Sequence, residues 1–165
     1  MSATHDKPQF VYVTYIETTP QKLWNALIDP AVTKQYWYHH NVSDWKVGSE
    51  WRHQRCDDAS TIDIVGKVLE VDEPRRLVVS WASPTGAHDP EQYSQVAYDI
   101  EPLEGVVKFT VSHTGLQPES AMLKGISFGW PVVLSGLKSL LENGKAIPLW
   151  WLEKKGQTEK CETAS

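Results

Sequence analysis

The sequence predicts an α+β fold in which a curved antiparallel sheet of about six strands wraps around a long C-terminal helix. Two short helices are predicted after the first strand. Three observations lead to this fold class. Apolar and polar residues alternate with period two over most of residues 49–113. A single apolar stripe at helical spacing follows, from Trp130 to Leu141. Short turn signals, and not helices, separate the strands, which favours an antiparallel meander over βαβ units.

The first strand and the two short helices come at the start of the chain. Residues 9–17 are rich in β-branched and aromatic side chains, which is typical of a strand. Thr19 followed by Pro20 predicts a helix start, because threonine caps the first turn and proline fits inside it. Asp29 followed by Pro30 repeats this signal and predicts a second helix to about Trp37.

Five further strands are expected between the short helices and the C-terminal third. Clusters of Gly, Pro, Asp and Glu punctuate this region at regular intervals, as in a meander of hairpins. The predicted strands are 49–55, 62–71, 76–81, 93–101 and 106–113.

The last predicted element is an amphipathic helix. Pro131 suits its first turn, and Gly144 suits the position just after its end. The preceding segment, 119–128, is also a helix candidate, with 129–131 as the predicted break. Because a one-sided helix must bury its stripe, we expect it to pack on the sheet.

Composition limits the domain count and the partners. The 165 residues suit one domain, predicted at 9–152 between a flexible N-terminus (1–8) and a flexible tail (153–165). The net charge is 16 − 21 = −5 without a basic stripe, which argues against a nucleic-acid partner. No apolar run reaches the roughly 18 residues of a membrane span. The polar start and only two cysteines predict a cytoplasmic location.

Aromatic residues are the unusual part of the composition. The chain has eight Trp, six Tyr and three Phe. Two interpretations stay open: a bulky core in a small β-rich domain, or an aromatic-lined pocket or contact surface.

Five segments carry a family resemblance, and they occur in order along the chain. They are IETTPQKLWNALIDP (16–30), DWKVGSEW (44–51), GKVLEVDEPRRLVVSW (66–81), FTVSHTG (109–115) and GWPVVLSGLKSLLENG (129–144). This ordered set resembles the START-like, or SRPBCC, superfamily with its helix-grip fold. In particular, it resembles the branch named after the activator of heat-shock-protein-90 ATPase.

The resemblance implies an apolar cavity between the concave face of the sheet and the long helix. Strand alternation selects residues for the walls, and Tyr36 and Trp37 are expected near an entrance. The same side chains also suit simple core packing. The predicted wall residues are Tyr12, Thr14, Trp51, His53, Trp81, Tyr98, Phe109, His113, Trp130 and Leu134.

The favoured function is binding of a small, largely apolar molecule (a lipid, polyketide or aromatic); no motif demonstrates chemistry, and no cofactor is expected. The alternative is an enzyme of cyclase, dehydratase or hydrolase type, with His113 as general acid or base. A hydrogen-bonded structural histidine competes with that role, since neither an orienting carboxylate nor a Gly-x-Ser-x-Gly elbow is apparent. The histidines lack metal-ligand spacing, so no metal is expected.

A protein-interaction module is the third hypothesis. The members that give the branch its name stimulate a chaperone ATPase, but as part of a larger two-domain protein. A homodimer through exposed aromatic residues is a further hypothesis.

Overall fold

One antiparallel sheet of seven strands organises the protein, in the spatial order β1-β7-β6-β5-β4-β3-β2. The computed structural model describes residues 7–149. The elements are β1 Phe10–Ile16, α1 Pro20–Ile28, α2 Pro30–Trp37, β2 His39–Val42, β3 Glu50–Arg55, β4 Ile62–Asp72, β5 Arg76–Trp81, β6 Ser94–Pro102, β7 Val107–Thr114 and α3 Ala121–Asn143. The predicted α+β helix-grip architecture is confirmed.

The two short helices begin where the sequence predicts. Thr19 Oγ1 accepts a hydrogen bond from the backbone N–H of Lys22, and Asp29 Oδ1 accepts one from Ala31. Each cap satisfies an N–H that the first helical turn leaves unpaired. The second helix ends at Tyr38, whose backbone is left-handed (φ 57°).

The seventh strand, β2, is an addition to the predicted set. It is four residues long, with the polar sequence HHNV, so neither length nor alternation marks it as a strand. It forms because β3 pairs with it along its whole length, from His39 opposite Arg55 to Val42 opposite Arg52.

In the other strands, the side chains that alternation predicts to face inward lie on the concave side of the sheet. In β7, Val107, Phe109, Val111 and His113 are all completely buried. In β1 the opposite face is exposed, with Val11, Val13 and Tyr15 at 52%, 44% and 52%. The core therefore lies between the concave face and α3, as period-two side-chain alternation requires.

The predicted helix break at 129–131 is wrong. A single helix of 23 residues runs through Pro131, from the Ser120 cap to Gly144 in the left-handed conformation. Proline inside a helix removes one backbone hydrogen bond. The cost is offset by a continuous buried stripe that holds both halves of α3 on the sheet: Ile126, Trp130, Val133, Leu134 and Leu137.

Some residues of the predicted terminal segments and of the predicted domain lie outside the described residues. These are residues 1–6 of the N-terminus, residues 150–152 of the domain and the whole tail 153–165. Within residues 7–149 no helix is long and apolar enough to cross a membrane. Cys56 is buried.

Candidate functional site

An apolar groove opens between the first half of α3, the end of α2 and the end of β5. Its volume is about 160 Å³. Trp37 is the last residue of α2, and Trp81 is the last residue of β5. The indoles of both residues line the space beside α3. We call this space the Trp groove. It is lined by Trp37, Trp81, Gly125, Ile126, Gly129, Trp130 and Val133.

Two glycines of α3 keep the Trp groove open. Gly125 and Gly129 are four residues apart and therefore lie on one helix face. A Cβ atom built on either glycine meets nothing within 4 Å, so free space lies above both. Neither residue has a positive φ that would require glycine. Because glycine costs a helix about 1 kcal/mol relative to alanine, the two glycines lower the stability of α3 and leave space for the groove.

Trp81 is the centre of an aromatic cluster beneath the groove. Its ring centroid lies 5.3 to 6.3 Å from five other rings, within the range of favourable aromatic contacts. Its Nε1 is buried and has no hydrogen-bond partner among residues 7–149. The five neighbouring rings are those of Trp37, Trp51, His53, His113 and Trp130.

The hydrogen bonds of His113 determine its tautomer. Trp130 Nε1–H donates to His113 Nδ1 at 3.1 Å, so the ring proton is on Nε2. His113 Nε2–H then donates to Ser94 Oγ at 2.7 Å, and the serine hydroxyl donates to the carbonyl of Trp81 at 3.2 Å. Burial lowers the pKa of His113 to about 4.

This network favours the structural role of His113 over the catalytic one. Both ring nitrogens are occupied by protein groups, and the chain of donors ends on a peptide carbonyl. A general acid or base needs a nitrogen that reaches the substrate within hydrogen-bond distance. His113 therefore orients Trp130 and Ser94 instead of facing the Trp groove with a free nitrogen.

A second polar cluster lies behind Trp37, at the β2–β3 edge of the sheet. His53 Nδ1–H donates to Asn41 Oδ1 at 2.6 Å, and both residues are at least 95% buried. The ring of His39 stacks on His53 with centroids 3.8 Å apart and planes 6° from parallel. Burial is the main reason that the pKa of His53 lies well below its usual value, and the charge of His39 adds to it.

His39 lies within hydrogen-bond distance of two oxygen acceptors. Its Nδ1 lies 2.8 Å from the carbonyl of Trp37, and its Nε2 lies 2.7 Å from Asp63 Oδ2. The hydrogen bond from His39 lowers the pKa of Asp63 below its usual value.

The other predicted site residues lie away from the Trp groove. Tyr36, expected near the entrance, is completely buried, and its hydroxyl donates to the carbonyl of Ala26 at 2.7 Å. Trp51 is buried and donates from Nε1 to the carbonyl of Ser80 at 2.9 Å. Consecutive helical residues differ in direction by about 100°, so Trp37 reaches the groove and Tyr36 reaches the core.

The remaining predicted wall residues pack in the core or lie on β1. Tyr98 and Phe109 stack in parallel at 6.2 Å, and both are buried. Leu134 is buried on α3, whereas Tyr12 and Thr14 are half-buried on β1. Trp37, Trp81 and Trp130 are thus the predicted residues that line the groove, with His53 and His113 in contact with them.

Sequence reasoning missed the two glycines and the His39–Asp63 pair. A glycine pair at i and i+4 inside a predicted helix was the available signal for the groove, because glycine is unfavourable there. The partners of His39 are 24 residues apart in sequence and carry no local signal. Across the described part of the chain, no group of three or more His, Cys, Asp or Glu side chains could hold a metal ion.

Solved structures of similar shape come from several organisms. ChR145 from Cytophaga hutchinsonii is 28% identical, covers 86% of this chain and 98% of its own, and has a TM-score of 0.68. Aha1 from Colwellia psychrerythraea, solved as a dimer in solution, is 20% identical, with coverages of 84% and 99% and a TM-score of 0.67. PFC0360w, an HSP90 activator from Plasmodium falciparum, is 20% identical, with coverages of 81% and 95% and a TM-score of 0.66.

The family is established by a match over most of the sheet and of α3. None of the curated proteins compared with this sequence matches it. The family model described as Activator of Hsp90 ATPase homolog 1-like protein matches residues 17–142, which is well over half of the chain. The chain therefore belongs to the Activator of Hsp90 ATPase homolog 1-like protein family, within the helix-grip superfamily that its sequence motifs indicate.

Proposed function

We propose that this protein binds a small, largely apolar molecule in the Trp groove without performing chemistry on it. One observation carries the proposal: Gly125 and Gly129 leave free space beside a lining that contains three tryptophans, at the cost of helix stability. Ligand pockets are concave and mostly lined by apolar and aromatic side chains, and the lining of the Trp groove fits that description.

The size of the groove narrows the ligand class. An engineered apolar cavity of about 150 Å³ holds one benzene molecule. At about 160 Å³, the Trp groove accommodates about one ring, so a larger ligand must extend beyond it. Of the three predicted classes, an aromatic compound or the aromatic end of a polyketide fits better than an acyl chain.

The enzyme alternative has less support because His113 is fully engaged by Trp130 and Ser94. Activation of a chaperone ATPase is suggested by the description of the family and of PFC0360w, and not by a contact within residues 7–149. A cytoplasmic location and the lack of a nucleic-acid partner remain predictions from composition.

Filling the groove tests the binding proposal. We expect Gly129→Leu to weaken binding of a neutral aromatic probe, 2-naphthol, at least about tenfold, because the new side chain occupies the space of one ring. Binding is measured by quenching of tryptophan fluorescence. Native mass spectrometry of the purified protein shows whether a ligand is already bound.

Ser127→Leu is the matched control, since it adds the same side chain to an exposed position of α3 outside the groove lining. Binding by this control should equal that of the unmodified chain. Gly129→Leu should also remain folded, as leucine is the better helix former. Equal binding of 2-naphthol by both variants would contradict the proposal.

A homodimer through strand β1 is the second part of the proposal. This strand lies at the edge of the sheet, and its outer face exposes Val11, Val13 and Tyr15. Exposed apolar edge strands favour pairing with another chain. Aha1 from Colwellia psychrerythraea, a protein of similar fold, forms a dimer.

Val13→Lys should convert the dimer to a monomer, because a charge on an edge strand opposes edge-to-edge pairing. Light scattering after size-exclusion chromatography gives the mass directly. The control is Thr110→Lys, on the neighbouring strand opposite Val13. A monomeric native protein, or a dimer that survives Val13→Lys, would contradict this part of the proposal.

A further inference from the structure

The position of Trp37 in the groove depends on two stacked histidines. His39 Nδ1–H donates to the backbone carbonyl of Trp37, and the His53 ring meets the Trp37 indole edge-on at 4.7 Å. The two imidazoles lie on each other at 3.8 Å. Tyr38, between Trp37 and His39, has a left-handed backbone, which is strained for a residue with a side chain. Loss of the stack would therefore remove contacts to both the backbone and the indole of Trp37.

The stack has a partner for one positive charge but not for two. The Asp63 carboxylate, 2.7 Å from His39 Nε2, balances one positive charge on the pair. His53 is neutral and 4% exposed, with its Nδ1–H on the side-chain oxygen of Asn41. A second proton on His53 would place two like charges 3.8 Å apart in a buried site, where water screens them little.

The charged groups around the pair do not balance a second charge. From β4, Asp63 already pairs with His39, and from β3, Arg55 pairs with Asp57. Lys34 of α2 and His39 both lie close to His40 of β2, and none of these three residues supplies a negative charge. A charge on His39 therefore opposes protonation of His53, and the carboxylates of Asp63 and Asp57 are already paired.

We propose that the His39–His53 stack makes the Trp groove sensitive to acid: protonation of His53 separates the two rings and releases Trp37 from the groove wall. The effect on ligand binding rests on the proposed function, whereas the movement of Trp37 does not. The pKa of His53 is depressed, so the neutral state, with Trp37 in the groove wall, persists below the usual titration range of histidine. As the pH falls through the folded-state pKa of His53, Trp37 leaves the groove wall and the affinity for ligand declines.

The experiment follows the indole N–H of Trp37 by NMR in the full chain without ligand, from about pH 8 to about pH 4. The Trp37→Phe variant assigns the signal. In the native protein, the Trp37 signal should shift with the same midpoint as the His53 ring. The shift should disappear in His53→Gln, whose amide still donates to Asn41, and persist in His88→Gln, a change at an exposed histidine outside the cluster.

Ligand binding is measured in parallel with 2-naphthol. Affinity should fall at least about tenfold across the Trp37 transition in the native protein and stay constant in His53→Gln. A Trp37 shift without any binding at neutral pH would uphold the switch and refute the proposed function. A Trp37 signal that does not follow His53, or a shift that survives in His53→Gln, overturns the switch. If His53→Gln does not fold, the switch is tested by comparing the midpoints of the Trp37 and His53 signals in the native protein. Different midpoints would overturn it.

Discussion

Replacement of Trp130 by alanine is expected to lower the free energy of unfolding by about 5 kcal/mol. Loss of a buried tryptophan costs about 3–5 kcal/mol through lost burial and the cavity that remains. His113 Nδ1 would in addition lose its donor inside the core, and an unsatisfied buried group costs about 1–3 kcal/mol. Urea denaturation followed by circular dichroism measures the change.

Trp130→Phe separates packing from hydrogen bonding at this position. Phenylalanine keeps most of the aromatic contact with Trp37 and Trp81 but has no N–H for His113. We expect a cost of about 2 kcal/mol, mainly from the unpaired nitrogen. If Trp130→Phe is as stable as the native protein, the His113 network does not contribute as described.

Gly66→Ala is expected to cost at least about 3 kcal/mol, at the upper end of what overpacking causes. An added Cβ would lie 1.8 Å from the backbone oxygen of Ser80 and 2.6 Å from Trp51 Nε1. Because the Ser80 oxygen belongs to a neighbouring strand, relief requires β4 and β5 to separate. The hydrogen bond from Trp51 to Ser80 would be lost with it.

Gly125→Ala is the same substitution as Gly66→Ala, but its expected effect on the free energy of unfolding has the opposite sign. Nothing lies within 4 Å of its Cβ position, and the residue is inside α3. Alanine should therefore raise the free energy of unfolding by about 1 kcal/mol. One series of urea titrations compares both variants, and a Gly66→Ala protein as stable as Gly125→Ala would contradict the close packing at Gly66.

Local patterns predicted the scaffold because their physical causes are local. The Thr19 and Asp29 caps satisfy N–H groups only two or three residues away. Side-chain direction in β7 follows from strand geometry, so alternation alone placed Phe109 and His113 on the buried face. The residues around Trp81 could therefore be predicted as a set from the sequence. Which of them border the groove could not be predicted.

Two local signals were misleading because tertiary contacts outweighed them. Pro131 is a helix breaker, yet the stripe around it is buried on both sides, so α3 continues. The sequence HHNV has no strand pattern, yet β3 supplies it with a complete ladder. In both cases the stabilising partner is distant in sequence and invisible to a window of neighbouring residues.

The sequence by itself determined the order of elements apart from β2 and the continuity of α3, the buried face of most strands and, through its motifs, the family. The tertiary structure decided which rings meet at Trp81, the tautomer of His113 and the stacking of His39 on His53. It also decided that Gly125 and Gly129 border free space instead of a packed neighbour. The reason is physical: secondary structure depends on nearby residues, whereas a groove depends on how distant elements fill space.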